Sequence, residues 1–428
     1  MTSLTLFLFV LLKFLDDLGK QISILDIPVL LACLTWLVMP IVFYHFYTKG
    51  DYMTSLWKMY MPVDADQYFS FVVPATLAMW LGLKIKFRKN EYDKHPEKFL
   101  SNLRTSLAGR SRVGFILITI GLVSGFVLLL VPAGLRQIMY FGKLLSYVGM
   151  FYIFFSDFPR KQTILAAIFL MVMLQSVASG LFGELVYLLI ISLILITLNK
   201  KILFGLKLGV CVLGMFFILI IQTVKAEYRE KTWKKGSGGG NVSLFTQLAS
   251  RYVTDPVAMF QAKRLFRTSV RLNQGWLIAR TMDYVPRKFP YANGETIGAT
   301  LASVVVPRFL WPDKRQVGGA YNLKRFWGYT LRGYSMDIGA IGEGYGNFGV
   351  IGGIIFMFFY GLSFNLLLRA VLKKTQTNPT YLCWLPLLFM NSVQVETDML
   401  NTINSLLKGL IFMWLMFWSF RTFFKIKL

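Results

Sequence analysis

The chain is short of the residues on which most hydrolytic and metal-dependent chemistry is built. Only two histidines, His45 and His95, occur in 428 residues. Zinc coordination and Ser-His-Asp catalysis therefore have almost no material, and neither a metal site nor a cofactor is expected. The three cysteines, Cys33, Cys211 and Cys383, all fall in apolar segments, which argues against a disulfide framework. Charged residues amount to 16%, against ~25% in an ordinary soluble domain. Acids are scarcer still, 21 Asp and Glu against 46 Lys and Arg.

What is present is apolar surface. Hydrophobic residues make up 55% and aromatics 16%, and windows of about 20 apolar residues, enough to cross ~30 Å of hydrocarbon, recur along the chain. They lack the period-2 alternation of a membrane barrel, so helices are the remaining solution. The expected fold is an all-α polytopic membrane protein with about 11 transmembrane helices (10–12) and one large extracytoplasmic loop. The candidate spans are 4–15, 23–47, 66–84, 113–134, 136–156, 163–180, 184–199, 203–222, 338–372, 380–395 and 404–422. The first is short enough to be an interfacial helix or half of a hairpin. No basic region precedes it and no A-x-A site follows, so an uncleaved start is expected. The net charge of +25 fits basic loops against anionic lipid headgroups better than nucleic-acid binding.

Lysine and arginine in the short loops set the orientation. Segment 84–112 holds nine Lys/Arg against three acids and is assigned to the cytoplasm. Alternation then puts Arg160-Lys161, Lys200-Lys201, Lys373-Lys374 and the C-terminal RTFFKIKL inside as well. Three regions follow: helices in 1–222, a hydrophilic outer segment 223–337, and helices in 338–428. The outer segment carries 19 Lys/Arg and 7 Asp/Glu, a net +12. So basic an outer loop suggests an anionic ligand.

Within it, GSGGGN (236–241) reads as a flexible hinge. Beyond the hinge, Lys263, Arg267 and Arg271 recur at i, i+4, i+8 with Arg264 beside them. Such a stripe serves either an interfacial helix whose cations snorkel to headgroups or a track for diphosphates and acidic sugars. Residues 287–335 mix aromatics with Arg308, Lys314, Arg315, Lys324, Arg325 and Arg332. Aromatic faces suit sugar rings and guanidinium forks suit phosphate oxygens, although a re-entrant loop at the membrane surface has the same composition.

Residues 337–353, DIGAIGEGYGNFGVIGG, pack seven glycines and Glu343 at the mouth of an apolar run. Gly344 to Gly349 formally matches G-x-G-x-x-G, but no strand precedes it and a span follows, so a dinucleotide site is excluded. Gly342, Gly346, Gly349 and Gly353 fall at i, i+4, i+7, i+11, the spacing of a packing seam on one helical face. Glu343 and Asn347 lie off that seam. Glu343 is expected either to pair with a loop arginine or to act as a base toward a substrate hydroxyl. Glu184, Glu396 and Asp398 are the other outward acids, while Asp16-Asp17 is assigned to the cytoplasmic side.

This architecture, with VPRFLWPDK (306–314) and GEGYGNFGVIGG (342–353), resembles the bacterial oligosaccharide repeat-unit polymerases of O-antigen and capsular polysaccharide synthesis. The likeness spans the architecture of the chain, but at sequence level only about residues 300–361. It implies a metal-independent glycosyltransferase of the bacterial cytoplasmic membrane. A chain on undecaprenyl diphosphate is transferred to another lipid-linked repeat unit, with undecaprenyl diphosphate as the leaving group. The substrate partner is the undecaprenyl-diphosphate-linked oligosaccharide, and the resemblance leaves room for a chain-length regulator protein. With it, Arg308 and Glu343 become the catalytic candidates. Arg251, Arg280, Lys314, Arg325, Arg332, Tyr345 and Asn347 become candidates for substrate binding. Three alternatives stand beside it, of which a purely structural membrane protein would leave the outer basic excess unexplained. An O-antigen ligase generally carries a histidine in its large outer loop, and this loop has none. A flippase would show repeated halves and mid-span charges, and neither is evident.

Overall fold

The computed structural model describes residues 2–47, 60–85, 96–128, 130–179, 183–233, 242–255, 262–306, 310–331, 335–426 and 428. Among the described residues the regular structure is helical throughout. The helices are α1 (Thr2–Asp17), α2 (Asp26–Phe46), α3 (Ala65–Lys84), α4 (Pro96–Leu107), α5 (Ser111–Val127), α6 (Ala133–Phe155), α7 (Lys161–Ser179), α8 (Gly183–Thr197) and α9 (Phe204–Trp233). They continue as α10 (Val242–Thr254), α11 (Ala262–Leu272), α12 (Gly275–Tyr284), α13 (Glu295–Val305), α14 (Ala320–Trp327), α15 (Gly339–Lys374), α16 (Pro379–Phe389, opening as a 3-10 turn) and α17 (Met399–Thr422).

Five of these are long and apolar enough to cross a membrane: Asp26–Phe46, Leu135–Phe155, Phe204–Ile221, Gly339–Lys374 and Met399–Thr422. Helices α4 and α5 meet at a bend of 82° and together would supply a sixth. Helix α4 comes from the basic segment 84–112. It buries Phe99, Leu100, Leu103 and Leu107 while Lys98 and Arg104 stay exposed, the pattern of a helix lying along a surface. The apolar run 380–395 reads as a span, yet only Pro379–Phe389 is helical. At about 16 Å that is too short to cross. Pro379 and Pro386 fall at helix starts, and Leu382, Trp384, Leu385 and Phe389 are fully enclosed by protein.

The largest departure from the sequence reading lies in α15. As one straight helix, 36 residues would measure about 54 Å, far beyond the hydrocarbon. Gly349 instead takes φ +69, ψ −157, a backbone region open essentially only to glycine, and the chain reverses there. Residues 339–348 run back along 350–374. A Cβ on Gly353 would stand 3.3 Å from the Tyr345 nitrogen, and one on Gly344 would stand 2.6 Å from the Phe356 ring. The four glycines therefore do not share one helical face. Gly349 makes the turn, while Gly346 and Gly353 accommodate the rings of Phe326 and Phe71.

The close backbone seam forms one level deeper. A Cβ on Gly82 of α3 would meet the Leu362 nitrogen at 2.7 Å, and Asn365 Nδ2 donates to the carbonyls of Gly82 (3.0 Å) and Ile85 (2.8 Å). Small residues let two helices approach, and an interhelical amide fixes their register. At this end of α3, Lys84 pairs with Asp17 (3.3 Å) and Asp26 (2.6 Å), and Lys13 also holds Asp17 (2.8 Å). The Asp16-Asp17 pair thus sits at the same end of the bundle as Lys84.

Candidate functional site

Residue Glu343 lies on the first limb of α15, and the reversal at Gly349 carries it into the protein rather than to a membrane edge. Its side chain is 0% exposed. Arg315 meets it with both terminal nitrogens, Nη1 to Oε1 at 2.9 Å and Nη2 to Oε2 at 3.4 Å. Asn322 Nδ2 donates to Oε2 at 3.1 Å. A bidentate fork of this kind fixes both orientation and charge. Arg315 Nη1 also donates to the Thr296 carbonyl (2.9 Å) and to the Thr300 hydroxyl on α13, and the Tyr321 ring lies 5.1 Å from its guanidinium carbon.

A third charge closes the cluster. Asp398 caps α17 by accepting from the nitrogens of Leu400 (2.5 Å) and Asn401 (3.3 Å). It also accepts from Gly318 N at 3.0 Å and stands 3.8 Å from Arg315 Nη2. Asp337 accepts from Gly339 N at 3.0 Å. One guanidinium thus faces three carboxyls. Burial lowers the affinity of Arg315 for its proton, but the Glu343 charge and hydrogen bond outweigh this and raise it. Burial, with the charges of Asp398 and Glu343, drives the Asp337 carboxyl well above the ordinary range. Burial also raises Asp398, with Arg315 pulling the other way. Burial and the neighbouring carboxyls thus act in the same direction on Asp337, toward its protonated form.

Arg315 is also the wall of a cavity of about 1240 Å³. This space opens between the N-terminal parts of α6 and α8, residues 303–306 and 314–317, and α17. Its charged lining is Arg136, Lys314, Arg315 and Lys408 against Glu184. Glu184 is held by Lys143 at 2.5 Å, and Lys408 donates to Gln137 at 2.6 Å. Asn391, Gln394, Asn401 and Asn404 supply amides to the same wall. Tyr140 donates to Asn391 (3.3 Å), and Asn391 donates to Ser405 (3.2 Å). A concave site with several cations and a rim of amides suits an anion carrying hydroxyl-rich groups.

Of the residues singled out in sequence, Lys314, Arg315 and Glu184 line the cavity, and Glu343 and Asp398 join them through Arg315. Lys314 donates to the carbonyls of Ser303 (2.7 Å) and Val306 (2.6 Å) at the end of α13. Asn347 braces Glu343, donating to its carbonyl (2.7 Å) and to Thr296 (2.7 Å) while accepting from Gly294 N. The others stand outside the cavity lining. Tyr345 packs on Phe71 and donates to Val285. Arg325 pairs with Glu295 at 2.9 Å. Arg280 covers the rings of Tyr284 and Trp327, and Arg251 is exposed on α10. Arg308, Arg332 and the 236–241 hinge lie outside the described residues, as do the side chains of Lys263, Arg264 and Arg267. Arg136, Gln137 and Lys408 were not singled out from sequence. One signal was available for α17: Asn401, Asn404, Ser405 and Lys408 fall at i, i+3, i+4, i+7, a polar stripe on an apolar helix.

Among the described residues no group of His, Cys, Asp and Glu has the makings of a metal site. No curated protein and no solved structure matches the chain. The model of a family described as a domain of unknown function (DUF8712) matches residues 36–426, and the chain belongs to that family.

Proposed function

We propose that the protein polymerises undecaprenyl-diphosphate-linked oligosaccharide repeat units on the outer face of the bacterial cytoplasmic membrane, its C-terminus inside. The observation that carries this reading is the 1240 Å³ cavity lined by Arg136, Lys314, Arg315 and Lys408 among amides. Breaking a glycosyl–phosphate bond leaves a diphosphate whose growing charge must be stabilised, and fixed cations do so without rearrangement. The amides of Asn391, Asn401 and Asn404 suit sugar hydroxyls. Glu343 is enclosed and engaged by Arg315, so in this reading it is a positioning residue rather than the base. Glu184 is the carboxylate on the cavity wall that an acceptor hydroxyl would meet. The shorter apolar helices Lys161–Ser176, Gly183–Thr197 and Pro379–Phe389 complete the bundle around the long spans, toward about 11 membrane-embedded segments.

The test is genetic and chemical. Deleting the gene leaves single repeat units on the acceptor lipid and no long chains. A strain that loses even single units points instead to export. Arg136→Ala and Lys408→Ala in purified protein abolish extension of a synthetic lipid-linked repeat unit while the melting temperature holds. Normal chain length in both variants removes the cavity from the mechanism.

A further inference from the structure

Beneath the polar cavity lies a second space of different character. It measures about 290 Å³ and is walled by Met150, Phe151 and Phe154 of α6, Phe169 of α7, and Leu188 and Ser192 of α8. Its lining is apolar except for Ser192. The two spaces share helices. Arg136, Gln137 and Tyr140 of α6 and Glu184 of α8 line the upper one. Along α6 the step from Tyr140 to Phe151 is about 16 Å, and along α8 from Glu184 to Leu188 about 6 Å. The Lys143–Glu184 ion pair, 2.5 Å, joins the two helices where one space gives way to the other.

A cationic, amide-lined chamber and an apolar groove about one to three turns farther along the same two helices have the form of a site for an amphiphile, an anionic head in the one and a long hydrocarbon in the other. We infer that the groove between α6, α7 and α8 holds the head-proximal isoprene units of a polyprenyl diphosphate whose diphosphate occupies the cavity. This identity of the ligand rests on the polymerase reading. The sequence separation of the two zones matches an extended chain running from the membrane surface toward the midplane. The aromatic walls suit a stiff, branched, unsaturated chain, and Ser192 is the one group there with a hydrogen bond to offer.

The experiment uses full-length protein in nanodiscs and a sugar-free C55 polyprenyl diphosphate bearing a diazirine on its fourth isoprene unit. Labelling is expected in 150–154, 165–169 and 188–196, displaced by unlabelled polyprenyl diphosphate and not by phosphatidylglycerol. Ala166→Trp and Ser192→Phe fill the groove without touching the cavity. Each weakens polyprenyl diphosphate binding about tenfold, with an unchanged melting temperature and unchanged binding of a short-chain C10 diphosphate. Labelling spread over the outer faces of the bundle, or displaced equally by phosphatidylglycerol, overturns the inference, because any bilayer chain then fills the groove. Specific labelling in a protein that extends no polysaccharide upholds the groove while the polymerase reading fails. Normal long-chain binding by both filled variants sinks the groove whatever the activity.

Discussion

Arg315 and Glu343 face each other as a two-pronged ion pair, 2.9 and 3.4 Å, with side chains 1% and 0% exposed. The pair ties residues 314–317 to the first limb of α15, and through Asp398 at 3.8 Å to the start of α17. Two elements of the cavity wall, residues 314–317 and the start of α17, thus meet the first limb of α15 on one guanidinium.

Removing one partner of such a pair leaves an uncompensated buried charge. Glu343→Gln is expected to destabilise by about 3 kcal/mol, the lower end of the range for broken buried pairs, since Asp398 remains near Arg315. Arg315→Met combined with Glu343→Leu should lose less than the two single changes added together. Thermal melting in detergent across the double-mutant cycle checks this; simple additivity would dissolve the coupling.

The raised carboxyl of Asp337 predicts a pH dependence. Its folded value lies above the unfolded 3.8, so the folded protein holds the proton more tightly than the unfolded chain. The contribution is fully present below about pH 4 and is lost as pH rises toward the folded value. Asp337→Asn keeps the uncharged form at every pH. The difference in melting temperature, variant minus wild type, should therefore grow in favour of the variant from pH 4 to 7. A difference that shrinks with rising pH would show Asp337 ionised in the fold.

Gly349 is tested by its backbone. At φ +69, ψ −157, an alanine costs about 1–3 kcal/mol in strain alone, and its Cβ would also press on the Tyr291 ring at 3.2 Å. Gly209, in mid-helix on α9 with nothing within 4 Å of an added Cβ, should gain up to about 1 kcal/mol from the same change. Melting of Gly349→Ala and Gly209→Ala side by side reads the contrast. Equal effects would mean that Gly349 does not carry the reversal.

The site was partly legible before the fold was known. Glu343 drew notice because a carboxylate in an apolar run is expensive, and pairing with a loop arginine was one of its two expected fates. That Arg315 would be the partner was not legible, since six basic residues of similar spacing competed for the role. Arg136 and Lys408 passed unremarked because each stands alone among the uncharged residues of its part of a candidate span, and only packing brings α6 and α17 to a common wall.

Composition and the length of apolar runs pointed to helices and marked the long ones suited to a membrane, because a bilayer admits only helices or closed barrels and these runs lack a barrel's alternation. They also marked 338–372 as one span, but hydropathy carries no sign of direction. Whether such a run crosses once or folds back is decided by one dihedral at Gly349 and by the partners waiting for Glu343 inside. Those partners come from segments 315–322 and 398, which only the tertiary structure brings within hydrogen-bonding distance.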